Sequence, residues 1–216
     1  MKKNKILNKI FFKPISCLTA YSPSIAKILD GTIDLILVGD SLGSTLYGMK
    51  NTQGVTMDMM KHHGVAVNKE IKRSLKVLDM PYKTYDNKID AYRNAKILLN
   101  HCKPDLLKIE ISEKKLVVLK HLVEKKINVI SHIGVTPQSY KNFNKIRVLG
   151  RINKEKQNLL NLAKESEKPE EAPAEENKQE TDQEPKEEIK EPTPEEKIAE
   201  LEDKVARTFA EMENQR

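Results

Sequence analysis

Short apolar runs alternate with helical periodicities along the first two-thirds of the chain. Residues 15–19, 35–38, 75–78, 106–109 and 129–131 are short, near-continuous apolar runs, the form expected of parallel strands buried on both faces. Between them, 22–29 opens on a Ser cap and closes before Gly31, and 57–67 follows Thr56 as its N-cap. Residues 87–100 place Ile89, Tyr92, Leu98 and Leu99 near one face, and 113–125 does the same with Leu116, Leu119, Leu122 and Val123. Strand and helix in regular alternation predict βα units, hence an α/β fold with a parallel sheet.

That pattern stops near Glu165. From 167 to 196 the chain is almost all Glu, Lys, Pro, Gln and Asn, too poor in apolar residues to offset the entropy of ordering, so a disordered acidic linker is expected over 167–194. Beyond it Ile198, Leu201, Val205 and Phe209 recur at helical spacing, which predicts an amphipathic helix over 195–216. Residues 169–216 hold 17 acidic and 7 basic side chains, whereas the preceding stretch holds 31 basic and 15 acidic, so the overall charge of +6 sums two unlike segments. The N-terminal lysines are spread over every element rather than gathered with aromatics on one stripe, which argues against nucleic acid as a partner. Cys17 and Cys102 fit neither a disulfide framework nor a zinc site. The apolar runs near the N-terminus are broken by Lys9 and Lys13, too short for a signal peptide or membrane span, and a cytoplasmic protein is expected.

Three acids fall at or beside the C-terminal ends of successive expected strands: Asp40, Asp79 and Glu110, with Lys108 and His132 close by. In a barrel of parallel strands that rim collects reactive groups, because each strand delivers one side chain to a shared mouth. Carboxylates converging there repel unless a cation neutralises them, and hard oxygen donors with room for water suit Mg²⁺. Adjacent His62 and His63 point apart on a helix and are not expected to form a ligand pair.

The segments Val38-Gly-Asp-Ser-Leu-Gly43, Val55-Thr-Met-Asp58 followed by His63, Asp79-Met-Pro81, Lys108-Ile-Glu110 and Ser131-His-Ile-Gly-Val-Thr-Pro-Gln138 occur in this order. In order and spacing the chain resembles the ketopantoate hydroxymethyltransferases from about residue 15 to residue 151. The resemblance implies a metal-dependent barrel enzyme that transfers a hydroxymethyl group from 5,10-methylenetetrahydrofolate to 3-methyl-2-oxobutanoate, giving 2-dehydropantoate for pantothenate synthesis. It also implies that Asp40, Asp79 and Glu110 hold Mg²⁺, the last through water if not directly. Asp40, Ser41, Asp79, Lys108 and His132 would bind the keto acid, and the intact family would be a homo-oligomer.

Several departures accompany this resemblance. The family's glutamate base belongs to a later strand with no counterpart here, so about five of eight strands of a (β/α)8 barrel are expected, with weak turnover or none. Ile111 and Ser112 stand where the family has glycines, and the glycine-rich stretch expected near 142–144 is absent. Two rivals remain at this point: another enolising barrel of the phosphoenolpyruvate mutase and isocitrate lyase group, though no cysteine-bearing catalytic loop is found, and a non-enzymatic coiled-coil or chaperone-partner protein. The latter rests on Pro194-Glu-Glu-Lys-Ile-Ala-Glu-Leu-Glu202 and the Ala210-Glu-Met-Glu-Asn-Gln-Arg216 ending, which resemble the start of the long helix of the GrpE nucleotide-exchange factors.

Overall fold

Five parallel strands, each followed by helical chain, make up the computed structural model, which describes residues 14–167. The expected acidic linker from residue 168 onward and the GrpE-like helix lie outside the described residues. The strands are β1 (Cys17–Thr19), β2 (Leu35–Val38), β3 (Leu75–Asp79), β4 (Leu106–Glu110) and β5 (Val129–His132). They lie in the sheet in chain order, every neighbouring pair parallel. The helices are α1 (Pro23–Leu29), α2 (Leu42–Tyr47), α3 (Met57–Asn68), α4 (Lys88–Cys102), α5 (Leu116–Glu124) and α6 (Asn153–Glu167). Strand order and alternation are those of part of a (β/α)8 barrel with five of its eight strands.

Local chemistry sets the helix ends. Ser22, Thr56 and Asn87 cap α1, α3 and α4 by accepting from the N–H groups of Ile25, Met59 and Asp90. The expected helix over 113–125 begins as a 3-10 turn at Glu113–Lys115 and becomes α-helical only at Leu116. Its buried residues are Leu116, Val118, Leu119 and Leu122, while Val123 is exposed. On α4 the buried face is Ala91, Ala95, Leu98 and Cys102, and Ile89 is 76% exposed, contrary to the face expected for it. The reason is close packing: small side chains at helical spacing let α4 approach α3, where Gly64 leaves room for Cys102.

Strand register assigns the two faces of the sheet. Ile36, Val38, Leu107 and Ile109 are buried in one core with Val67 of α3, Leu98 of α4 and Leu122 of α5. The alternate positions turn to the opposite, inner face, where Leu35 pairs with Leu75, Leu37 with Val77, Asp79 with Lys108, and Glu110 with His132. At the N-terminal end of the strands, buried Asp30 accepts from the N–H groups of Arg73 and Ser74, so this acid is a loop staple.

Candidate active site

Pairing in the sheet brings the predicted residues together at one end. Asp79, Glu110 and His132 are the last residues of β3, β4 and β5, and each strand runs one residue further than the apolar pattern indicated. Because Asp79 is the register partner of Lys108 and Glu110 that of His132, all four project from the inner face. Asp40 and Ser41 follow β2 in the turn into α2, where Gly39 admits the chain: a Cβ there would lie 2.9 Å from Ser41 Oγ and 3.4 Å from Asp79 Oδ2.

Asp79 is engaged on both oxygens. Lys108 Nζ donates to Oδ1 at 2.6 Å, and the Asp40 backbone N–H donates to Oδ2 at 3.1 Å. The ammonium therefore neutralises Asp79 in the resting arrangement. Asp40 is neutralised less well: burial, and then the neighbouring Asp79 charge, push its carboxyl from 3.8 up to about 6, against the opposing pull of Gln138 and Lys108. Burial likewise pushes Glu110 from 4.5 up to about 7, although the Gln138 N–H opposes it. His132 is pushed down, first by burial and then by the Lys108 charge. Its Nδ1 is buried without a hydrogen-bond partner, 3.8 Å from Glu110 Oε1.

Gln138 organises this group, and the sequence reading gave it no role. Its side-chain amide donates to Asp40 Oδ2 at 2.7 Å and to the Met80 carbonyl at 3.0 Å, while its backbone N–H donates to both Glu110 oxygens. Tyr85, fully buried, donates its hydroxyl to Gln138 Oε1 and accepts from the Glu110 N–H. One residue thus ties together Asp40 after β2, Met80 after β3 and Glu110 at the end of β4. Its presence in the Ser131-to-Gln138 motif was the available signal. Ser41 shares a 2.7 Å hydrogen bond with Tyr21. The His63 ring bonds the Tyr21 carbonyl and the Tyr47 hydroxyl.

The donor set suits a hard divalent ion in part. Asp40 and Asp79 are neighbours through the Asp40 N–H, and burial, followed by the Asp79 charge, raises the Asp40 carboxyl. Magnesium commonly takes one or two carboxylates and completes its shell with water and substrate. Glu110 stands on the far side of the Gln138 links from Asp40. Among the described residues no three His, Cys, Asp or Glu side chains are arranged as a ready metal site. Asp40 and Asp79 are the residues that could hold such an ion, with Glu110 reaching it through water. A separate cleft of about 480 Å³ lies between Ile111–Lys114, Thr136, Arg147 and α6, and none of the six predicted residues lines it.

Acids, a lysine and a histidine on the inner face at the C-terminal end of a parallel sheet define a barrel-type enzyme mouth. Phosphonopyruvate hydrolase, solved in complex with oxalate and Mg²⁺, shares this fold with a TM-score of 0.51 at 12% identity, covering 61% of this chain and 52% of that one. Sequence comparison makes the assignment finer. The chain belongs to the ketopantoate hydroxymethyltransferase family, whose model matches residues 4–169. It is 48% identical over 142 residues to the 3-methyl-2-oxobutanoate hydroxymethyltransferase of Pelagibacter ubique (strain HTCC1062), covering 64% of this chain and 55% of the relative. The Rhizobium etli enzyme of the same name is 43% identical over 139 residues, covering 64% and 51%. The chain thus spans about half the length of the curated relatives it matches. Among the described residues no helix is long and apolar enough to cross a membrane.

Proposed function

We propose that this chain supplies the keto-acid half of a ketopantoate hydroxymethyltransferase site, binding 3-methyl-2-oxobutanoate together with Mg²⁺. The observation that carries the reading is the contact of Asp79 with both Lys108 Nζ and the Asp40 N–H at the C-terminal end of the sheet. Asp40 and Asp79 would hold the ion, with Glu110 reaching it through water. Bound there, a divalent ion supplies Lewis-acid stabilisation for negative charge on the substrate's carbonyl oxygen. Lys108 carries a positive charge that either Asp79 or an anionic substrate can claim, and Ser41 offers a hydroxyl held by Tyr21. His132 Nδ1 and Glu110 Oε1 lie 3.8 Å apart, beyond direct hydrogen-bond reach, with the imidazole depressed and the carboxyl raised.

In the whole family reaction 5,10-methylenetetrahydrofolate donates the one-carbon unit, in the cytoplasm and within a homo-oligomer. The base that removes the keto acid's proton belongs to the part of the relatives outside the match, so binding is the property proposed for the residues matched here. Isothermal titration of the full chain with 3-methyl-2-oxobutanoate, with and without Mg²⁺, tests the reading. Binding should require Mg²⁺ and weaken by about tenfold or more in Asp79→Asn. Metal-independent binding that Asp79→Asn leaves unchanged would overturn it.

A further inference from the structure

We infer that Thr52 is a further positioning residue of the acid cluster, one whose hydroxyl orients Asp40 and accepts a hydrogen bond from the hydration shell of the divalent ion. This role rests on the proposed binding of Mg²⁺ by Asp40 and Asp79.

A buried hydroxyl without a partner is rare, because nothing then offsets the loss of its contacts with water. Thr52 is 3% exposed, and its Oγ1 makes no hydrogen bond within the protein. The hydroxyl lies close enough to Asp40 to pull its carboxyl down, yet closes no bond with it. Among the described residues one other buried side-chain atom shares this condition, His132 Nδ1, which stands beside Glu110. Both orphaned atoms thus border the acid cluster, one on its Asp40 side and one on its Glu110 side.

The fold fixes where this hydroxyl sits. Thr52 opens the 3-10 turn Thr52–Gly54, and the Asn51 side chain caps that turn by accepting from the Gln53 N–H. Two side chains fasten the turn to the chain after β5: Asn51 Nδ2 donates to the Lys141 carbonyl and Gln53 Nε2 to the Gln138 carbonyl, each at 2.8 Å. Gly43 of α2 admits the same segment, since a Cβ there would lie 2.6 Å from Val55 Cγ2. Gln138 in turn holds Asp40 Oδ2 through its side-chain amide. The turn and the Asp40 carboxylate are therefore anchored to one residue, while the Thr52 carbonyl is taken by the Val55 N–H and its side chain stays uncommitted.

The chemistry of the group suits the role. A threonine hydroxyl carries one proton and two lone pairs, so it can donate to a carboxylate and accept from a water at once. Magnesium held by one or two carboxylates keeps several waters, and those waters need acceptors. Asp40 and Asp79 would supply the carboxylates, and Thr52 offers an acceptor on the Asp40 side. Groups that orient a metal-binding side chain in this way typically change metal affinity by about 10–100-fold.

Two substitutions separate the hydroxyl from the shape of the side chain. Thr52→Val keeps the shape and removes the hydroxyl, whereas Thr52→Ser keeps the hydroxyl. In calorimetric titration of Mg²⁺ into the full chain with saturating 3-methyl-2-oxobutanoate, Thr52→Val should bind about tenfold or more weakly and Thr52→Ser within about threefold of the parent. In EDTA the urea midpoint of Thr52→Val should equal or exceed that of the parent, since no hydrogen bond is lost and apolar burial is gained. A residue needed only for packing would not combine weaker ion binding with undiminished stability. Three results would overturn the inference: parent-like Mg²⁺ binding by Thr52→Val, equal losses of binding in both variants, or a lower urea midpoint of Thr52→Val in EDTA. A parent chain that binds no Mg²⁺ would overturn the metal reading itself and this role with it, a failure visible before any variant is compared.

Discussion

Replacing Gln138 with leucine keeps the side chain's bulk and removes its hydrogen bonds, which makes it a sensitive probe of the acid cluster. Three buried groups lose a partner: Asp40 Oδ2, the Met80 carbonyl and the Tyr85 hydroxyl. An unsatisfied buried polar group costs about 1–3 kcal/mol, toward the upper end when it is charged. Part of that is offset because leucine is apolar, which leaves a net loss of about 3 kcal/mol with Asp40 ionised. The loss depends on pH. Gln138 is the leading influence that lowers the Asp40 carboxyl, now at about 6, so leucine drives it higher still. At pH 5 Asp40 is protonated in both proteins and needs no donor, and the loss should fall to about half. Urea unfolding of the full chain and its variant at pH 5 and pH 8 in EDTA reads the difference. Equal losses at the two pH values, or a loss below about 1 kcal/mol at pH 8, would refute the assignment of Gln138 as the donor that holds Asp40.

The unmodified chain should itself be pH-sensitive. Asp40 and Glu110 both have folded carboxyls above their ordinary values, at about 6 and about 7, so their contribution is complete below about pH 4 and is lost as pH rises through that window. The unfolding free energy from urea titrations in EDTA should fall between pH 5 and pH 8, by about 1–2.5 kcal/mol per carboxyl, and saturating Mg²⁺ should flatten the slope; a free energy that rises in EDTA contradicts this. Lys108→Met removes the ammonium from Asp79. Calorimetry should find Mg²⁺ bound more tightly and the keto acid about tenfold more weakly, whereas parallel losses would argue against competition for Asp79. Gly64→Ala would set a Cβ 2.8 Å from Cys102 Sγ and 3.2 Å from Leu78 Cδ1. Thermal unfolding should show a loss of about 1–3 kcal/mol, partly regained in the double variant with Cys102→Ala; full additivity would mean that the two residues do not compete for space.

The strands were legible because parallel strands of this sheet read as short, mostly apolar runs, and all five stand where such runs predict, although β1 is exposed and Lys76 and Lys108 interrupt β3 and β4. Their ends were not, since Asp79, Glu110 and His132 look like the start of a loop to a hydrophobic pattern. The hydrogen-bond ladder nonetheless runs on beneath them, with Met80 N–H donating to the Lys108 carbonyl and Ile111 N–H to that of His132. Helix α2 escaped notice because six residues carry too little periodicity, and its Leu46 and Tyr47 are exposed. Ile89 misled because the largest apolar residue was taken to mark the buried face, while close approach of α3 and α4 favours Ala91 and Ala95. The site acids were readable from position along the chain. Gln138 was not, because its partners Asp40, Met80 and Tyr85 lie 53 to 98 residues away and meet only in the folded sheet.

Paramagnetic Mn²⁺, standing in for Mg²⁺, can report where a divalent ion sits on the full chain. In amide NMR spectra with 3-methyl-2-oxobutanoate present, the strongest broadening should fall on residues 39–41, 79–80 and 138, and Asp79→Asn should abolish it. Broadening centred elsewhere, or spread evenly over surface carboxylates and indifferent to Asp79→Asn, would contradict an ion held between Asp40 and Asp79.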